Sequence, residues 1–106
     1  MEGFRDKIIE AVKLLVNACQ PDKVILFGSY ATGTEKEDSD IDLLVVKEGI
    51  TNRAEEIVRL SRVLSPLRLP IDLIIVDSET FSYWSDTPGN VYHEAYSAGK
   101  TLYEAA

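Results

Sequence analysis

The most constraining feature of the sequence lies between residues 24 and 46, where two apolar runs flank a short polar segment. The first run ends in the pair Gly28-Ser29, and the second begins ten residues later with Asp40-Ile41-Asp42. Both runs have the length and the β-branched content of strands. Because side chains alternate along a strand, Asp40 and Asp42 are predicted to point to the same face. A polar hairpin between two core strands would share this pattern. The rest of the sequence is therefore needed to distinguish a functional site from a simple turn.

A third apolar run repeats the second, with an aspartate at the same place near its start. Residues 41–46 read I-D-L-L-V-V, and residues 71–76 read I-D-L-I-I-V. One amphipathic helix is predicted between them, over residues 52–65. A strand–helix–strand unit of this length is a right-handed crossover between parallel strands. Asp72 is therefore expected beside Asp42.

The remaining segments predict helices that pack around these strands. Residues 3–19 carry an apolar stripe at helical spacing, and Pro21 ends that helix. Its stripe comprises Phe4, Ile8, Ala11, Val12, Leu15 and Cys19. The helix over residues 52–65 has Asn52 as its cap. Its predicted apolar face comprises Ala54, Ile57, Val58 and Leu64.

The C-terminal thirty residues predict two short helices and an edge strand. Ser78 is the expected cap of the first helix and Asn90 that of the second, and residues 101–103 form the strand. The second strand of the sheet is apolar on both faces, so helices should cover both sides. The predicted fold class is therefore α/β (α+β), with a small mixed sheet of three to four strands and helices packed around it.

Length and composition bound the class of protein. A chain of 106 residues fits one domain spanning residues 1–106. No apolar run approaches the roughly 18 residues of a membrane span, and the chain begins with an amphipathic pattern and not a signal segment. The single cysteine, Cys19, argues for a reducing compartment, which predicts a cytoplasmic protein. A net charge of −7 argues against duplex nucleic acid binding by the chain alone.

The three aspartates define an all-oxygen candidate site, because no His or Cys lies near them in the motif. Such ligands suit Mg²⁺ or Mn²⁺ and not zinc. Much of the acidic excess falls within residues 21–46, on the motif itself, and clustered carboxylates repel one another unless cations neutralise them. Two divalent ions roughly 3.5–4 Å apart can clamp the attacking and leaving oxygens of a phosphoryl-type displacement.

The turn at Gly28-Ser29 supplies the second half of this candidate site. Ser29 is predicted to cap a short helix over residues 30–32, and its hydroxyl and the turn N–H groups can hold the phosphates of a nucleoside triphosphate. The implied reaction is attack by a hydroxyl on the α-phosphorus, with pyrophosphate leaving. Asp72 would bind the metal that activates this hydroxyl or accept its proton.

Taken together, Gly28-Ser29, the ten-residue gap, Asp40-x-Asp42 and Asp72 resemble the signature of the DNA polymerase beta-type nucleotidyltransferase superfamily. The short length resembles its minimal nucleotidyltransferase branch, and the resemblance covers most of the chain. It implies two Mg²⁺ ions held by the three aspartates, with Ser29 on the nucleotide phosphates. In that branch the protein is often the antitoxin of an all-helical HEPN toxin, and some members adenylylate a toxin tyrosine. Many relatives have Arg where this chain has Thr32.

Three functions remain open from the sequence. The leading one is metal-dependent transfer of AMP from ATP to a hydroxyl on a HEPN-type partner. A small-molecule acceptor, as in aminoglycoside-modifying relatives, is disfavoured because the chain has no second domain to enclose it. A non-catalytic antitoxin with a vestigial site is disfavoured by the intact Asp40, Asp42 and Asp72 and favoured by Thr32. Homo-oligomerisation is left open.

Overall fold

The computed structural model describes residues 2–105, and for residues 2–4 it describes the backbone alone. Within this range the helices are α1 (Glu2–Cys19), α2 (Ser29–Thr32), α3 (Arg53–Leu64), α4 (Ser78–Ser85) and α5 (Val91–Ala98), with a 3-10 turn at Ser65–Leu67. The strands are β1 (Lys23–Phe27), β2 (Ile41–Val46), β3 (Ile71–Val76) and β4 (Lys100–Glu104).

The four strands form one mixed sheet in the order β3-β2-β1-β4. β1 is antiparallel to both β2 and β4, whereas β2 and β3 are parallel and are joined by the crossover through α3. The predicted mixed sheet and the predicted parallel pair are therefore confirmed. β2 begins at Ile41 and not at Asp40, which lies one residue ahead of the strand.

Helices cover both faces of this sheet. On one face, α1 and α3 pack against a cluster that includes Leu15, Leu43 and Leu60. On the other face, a smaller cluster under α4 and α5 includes Leu44 and Phe81. Leu43 and Leu44 are both fully buried although they point in opposite directions. The two-sided burial predicted from the unbroken apolar run of β2 is confirmed.

The apolar face of α3 differs from the prediction. Ala54 and Val58 are exposed, and Leu60 is buried in their place. The buried stripe follows Ile57, Leu60 and Leu64, whose spacing of three and four residues also fits one helical face. The prediction is confirmed for Leu64, which is buried, and for Ile57, which is half-buried against the same cluster. It is wrong for Ala54 and Val58, and it missed Leu60.

The apolar stripe of α1 is confirmed for Ile8, Ala11, Val12, Leu15 and Cys19, all of which are buried. Phe4 lies outside the side chains that the structure describes. None of the helices in residues 2–105 is both long enough and apolar enough to cross a membrane.

Two of the predicted helix caps are confirmed and two are wrong. Asn52 and Asn90 accept hydrogen bonds from the third residue of α3 and of α5, as expected of N-caps. Gly28, and not Ser29, is the N-cap of α2, and it makes no side-chain bond there. Asp77, and not Ser78, caps α4, because its carboxylate reaches the backbone N–H of the third helical residue at 2.7 Å.

Candidate active site

The predicted site residues converge at the end of the sheet where β1 stops and β2 and β3 begin. Asp42 is paired with Asp72 in the parallel register and with Phe27 in the antiparallel register. Neighbouring strands lie about 4.8 Å apart, so the two aspartates are adjacent across the sheet. Asp40 lies two residues before Asp42, immediately ahead of β2. The expected adjacency of Asp72 and Asp42 is confirmed, whereas their catalytic roles stay predictions.

Asp42 and Asp72 also lie on the same face of the sheet. Along β2, Asp42 alternates in phase with Leu44, and along β3, Asp72 alternates in phase with Ile74. Both Leu44 and Ile74 belong to the apolar cluster beneath α4 and α5. The two carboxylates therefore project from the α4–α5 face, at the margin of its apolar core.

Gly28 brings the backbone that follows β1 directly against Asp42. Its φ of 74° is in the left-handed region that favours glycine. A Cβ atom at this position would collide with Oδ2 of Asp42. Position 28 therefore requires glycine for two reasons. The backbone has a positive φ, and the Asp42 carboxylate occupies the space where a side chain would lie.

Ser29 opens α2 next to this contact. Within the described part of the chain its hydroxyl makes no hydrogen bond, and the residue is half-buried. By contrast, the Thr32 hydroxyl lies 2.9 Å from the Thr34 hydroxyl and 3.4 Å from the backbone oxygens of Gly28 and Ser29. Thr32 thus links α2 to the loop that follows it, and the hydroxyl of Ser29 is available to a ligand.

The electrostatics of the site centre on Asp42. Burial raises the pKa of this carboxyl above its usual value, and the negative charges of Asp72, Asp40 and Glu94 raise it further. Asp40 and Asp72 are exposed, whereas Asp42 is half-buried. The site is therefore a cluster of like charges with its most shielded member at the centre.

Glu94 is the member of this cluster that the sequence did not reveal. It lies on α5, more than fifty residues from Asp40 along the chain, and it belongs to no motif. Only the packing of α5 over the α4–α5 face of the sheet brings its charge near Asp42. A single acidic residue on a short amphipathic helix gives no signal that could have identified it.

The donor set and the charge fit a hard divalent cation. Carboxylate oxygens are the ligands that Mg²⁺ and Mn²⁺ prefer, and a cation would relieve the repulsion that raises the Asp42 pKa. Among the residues that the structure describes, no three or more His, Cys, Asp or Glu side chains are arranged to hold an ion as they stand. The three aspartates thus suit the ion by chemistry and charge, and they need side-chain reorientation to enclose one.

Comparison with known sequences agrees with this geometry. A family model described as a nucleotidyltransferase domain matches residues 5–94. Two candidate protein adenylyltransferases of Methanocaldococcus jannaschii, MJ0141 and MJ0604, are 42% identical over 55 residues and 49% identical over 43 residues. The matched segments cover 51% and 35% of this chain and 54% and 43% of those proteins. The chain thus spans about half the length of the curated relatives it matches.

Solved structures share the fold. A candidate nucleotidyltransferase from Sulfolobus solfataricus has a TM-score of 0.66 at 24% identity, over 93% of this chain and 78% of that one. A toxin–antitoxin structure with AMP-PNP has a TM-score of 0.63 at 24% identity, over 94% of this chain and 73% of that one. A mutant of the MntA–HpeT toxin–antitoxin has a TM-score of 0.63 at 22% identity, over 94% and 73%. The fold class predicted from the sequence is confirmed, and the chain belongs to the nucleotidyltransferase domain family.

Proposed function

We propose that this chain is a metal-dependent nucleotidyltransferase that moves AMP from ATP to a hydroxyl on a partner protein. The observation that carries the proposal is the register that pairs Asp42 with Asp72 on one sheet face, beside the turn at Gly28. Membership of the nucleotidyltransferase domain family supports the reaction class. The names of the two Methanocaldococcus relatives support a protein acceptor, and the neighbour with AMP-PNP supports an adenine nucleotide.

We further propose that the partner is a toxin of the HEPN type and that this chain is its antitoxin. Some of the solved structures with the same fold are toxin–antitoxin structures, which supports a toxin as the partner. The HEPN identity rests on the resemblance of the Gly28-Ser29 and Asp40-x-Asp42 motif to the minimal branch of the superfamily. A cytoplasmic location, inferred from the free Cys19, completes the proposal.

In this proposal the chain's residues have distinct tasks. Asp40, Asp42 and Asp72 would hold two Mg²⁺ or Mn²⁺ ions, which when bound supply positive charge to the attacking and leaving oxygens. The Ser29 hydroxyl donates a hydrogen bond to a phosphate oxygen of ATP. Gly28 leaves the space that Asp42 occupies. Asp72, which is exposed on the edge strand β3, receives the proton of the incoming hydroxyl.

The bond changes of the proposed step balance. The acceptor oxygen forms a bond to the α-phosphorus, while the bond from that phosphorus to the oxygen bridging it to the β-phosphorus breaks. Pyrophosphate leaves with the electron pair of the broken bond. The hydroxyl proton passes to a carboxylate, for which Asp72 is the exposed candidate.

The test uses ATP labelled at either the α- or the γ-phosphate, with Mg²⁺ and the protein encoded beside this chain's gene. Transfer of the α-label alone to that protein is the expected result. Asp40→Asn and Asp42→Asn should each abolish it, because each removes one charged ligand without changing side-chain volume. Transfer of the γ-label, or undiminished transfer by either variant, would refute the assignment.

A binding antitoxin with a vestigial site is the second candidate. The observation that favours it is Thr32, whose hydroxyl is engaged with Thr34 where many relatives carry an arginine. This candidate predicts a stable complex with the partner and no label transfer from ATP. A small-molecule acceptor would instead appear as α-label in a low-molecular-weight product.

A further inference from the structure

A groove of about 1170 Å³ runs between α1 and β4, on the face opposite the carboxylates. α1 forms one wall, β1 and β4 contribute Leu26 and Tyr103, and the loop over residues 35–37 joins the lining beside α2. Its volume is slightly above the roughly 300–1,000 Å³ of most small-molecule sites, and the groove extends along the length of α1.

A β-bulge makes this groove more apolar than a regular edge strand would. Val24 is paired with Tyr103 and Ile25 with Thr101, so Leu102 is an extra residue on β4. Successive residues of a regular strand face opposite sides, yet Leu102 and Tyr103 both line the groove. Leu102 is 38% exposed.

The wall formed by α1 presents a matching apolar surface to this groove. Ile9 is 47% exposed and lines the groove, together with Val12 and Val16 on the same helix. The α1 residues that line it extend from Arg5 to Asn17, a length of about 18 Å at 1.5 Å per residue. This length corresponds to three to four turns of a helix lying alongside α1.

The charge of the groove is opposite to that of the molecule. The chain as a whole has 18 acidic and 11 basic side chains. In the groove the basic side chains outnumber the acidic ones. The groove is lined by Arg5, Lys13, Lys36 and Lys100 and by the acidic Glu35 and Glu37. An occupant with acidic flanks would therefore be attracted here and repelled from most of the remaining surface.

We propose that this groove docks an amphipathic helix of the partner protein, with an apolar face against Ile9 and Leu102 and acidic side chains on its flanks. A helix fits better than an added strand, because the bulge at Leu102 interrupts the regular edge of β4. The assignment rests on the proposed function for the existence of a protein partner. It adds the surface and the chemistry of that partner.

The position of the groove links docking to the site. Glu35, Lys36 and Glu37 belong to the loop that leads from α2 to Asp40. Ser39 closes this loop, since its hydroxyl accepts a hydrogen bond from the backbone N–H of Lys36 at 2.7 Å. A helix in the groove would thus contact the segment that sets the position of Asp40.

The test uses a synthetic amphipathic peptide of about 18 residues, five helical turns, with leucine on one face and glutamate on the other. Its twin carries lysine in place of glutamate. The glutamate peptide is expected to bind at least ~10-fold more tightly at low salt, with an advantage that shrinks as salt rises. Equal binding of the two peptides, or no binding of either at millimolar concentration, would overturn the proposal.

Three variants locate the binding. Ile9→Glu and Leu102→Glu should each weaken the glutamate peptide at least ~10-fold, because each places a like charge in an apolar contact. Val58→Glu is the matched control, since Val58 is 50% exposed on α3 and does not line the groove. Its binding should equal that of the wild type. Equal losses in all three variants would overturn the location, and thermal melts verify that each variant is folded.

The same variants separate docking from chemistry. Each is co-expressed with the protein encoded beside the gene, and complex formation is measured by size-exclusion chromatography. Loss of the complex in Leu102→Glu, but not in Val58→Glu, supports the groove even if α-phosphate transfer is absent. A complex that survives Ile9→Glu and Leu102→Glu places the partner elsewhere and leaves the transferase proposal standing.

Discussion

β2 and β3 are nearly identical in sequence and differ in what surrounds them. They run in parallel with Asp42 opposite Asp72 and Leu44 opposite Ile74. β2 is an inner strand between β3 and β1, whereas β3 is an edge strand. Asp42 is half-buried against Gly28 and has a raised pKa, whereas Asp72 is exposed. The sheet thus gives the same dipeptide, Ile-Asp, two different environments.

The difference suggests a division of labour within the proposed reaction. Asp42 lies on an inner strand, and its carboxylate occupies the space beside Gly28 where a side chain would otherwise stand, so it is confined on that side. Asp72 has no strand on its outer side and can be approached from solvent. We therefore assign the more enclosed carboxylate to the nucleotide side of the proposed site, and the accessible one to an acceptor that arrives on another molecule.

The largest expected effect separates these two roles. Asp72→Ala should retain measurable Mg·ATP binding but lose transfer by at least ~100-fold, as for the loss of a proton-transfer group. Asp42→Ala should lose both binding and transfer, because the nucleotide side of the site loses its inner ligand. Calorimetric titration with Mg·ATP, beside the labelled-ATP assay, measures the two quantities separately. An equal loss of binding in both variants would mean that Asp72 is a plain nucleotide ligand.

The sequence predicted that β2 and β3 are parallel neighbours, but it did not predict the different environments of Asp42 and Asp72. The repeated Ile-Asp and the helix between the copies implied parallel neighbours, because a crossover of that length has few other solutions. Whether β3, the second copy of the Ile-Asp strand, lies at the edge of the sheet depends on where β4 pairs. β4 mixes polar and apolar residues, and it pairs with β1 and not with β3. The proximity of Glu94 to Asp42, and the burial of Leu60 instead of Ala54 and Val58 on α3, likewise depend on packing that no local pattern encodes.

A second test compares the inner strand β2 with the edge strand β3 by truncating one large apolar side chain on each to alanine. Leu44 is fully buried, whereas Ile74 is only partly buried at the same register position. Leu44→Ala should reduce the free energy of unfolding by about 2–5 kcal/mol, the usual range for buried large-to-small substitutions. Ile74→Ala should cost less, since its site is partly hydrated. Urea denaturation of both variants measures the difference, and equal costs would contradict the inner and edge assignment.

A third test concerns the contact that distinguishes Asp42. Gly28 and Gly33 have almost the same positive φ, 74° and 76°, but a Cβ at Gly33 would meet nothing within 4 Å. Gly33→Ala should cost about 1–2 kcal/mol of stability, the penalty for a left-handed alanine. Gly28→Ala should cost more, and it should also impair Mg·ATP binding by displacing the Asp42 carboxylate. Identical behaviour of the two variants would show that Asp42 does not depend on Gly28.

The smallest expected effect is the pH dependence of stability that Asp42 contributes in metal-free protein. Its pKa in the folded state lies above the usual value of 3.8, so the folded state holds the proton more tightly than the unfolded chain. The stability linked to this proton is present below pH 3.8 and is lost as pH rises through the folded pKa.

At neutral pH the charge of Asp42 therefore costs stability, and Asp42→Asn removes that cost. In EDTA the variant should therefore melt slightly higher than the wild type at pH 7. The gain should shrink as pH falls below the usual value of 3.8, because the wild-type carboxyl is then increasingly protonated. Asp22→Asn, an equal charge change at the exposed far end of the sheet, is the control. A gain for Asp42→Asn that is constant with pH would mean that packing, and not the charge cluster, distinguishes this strand.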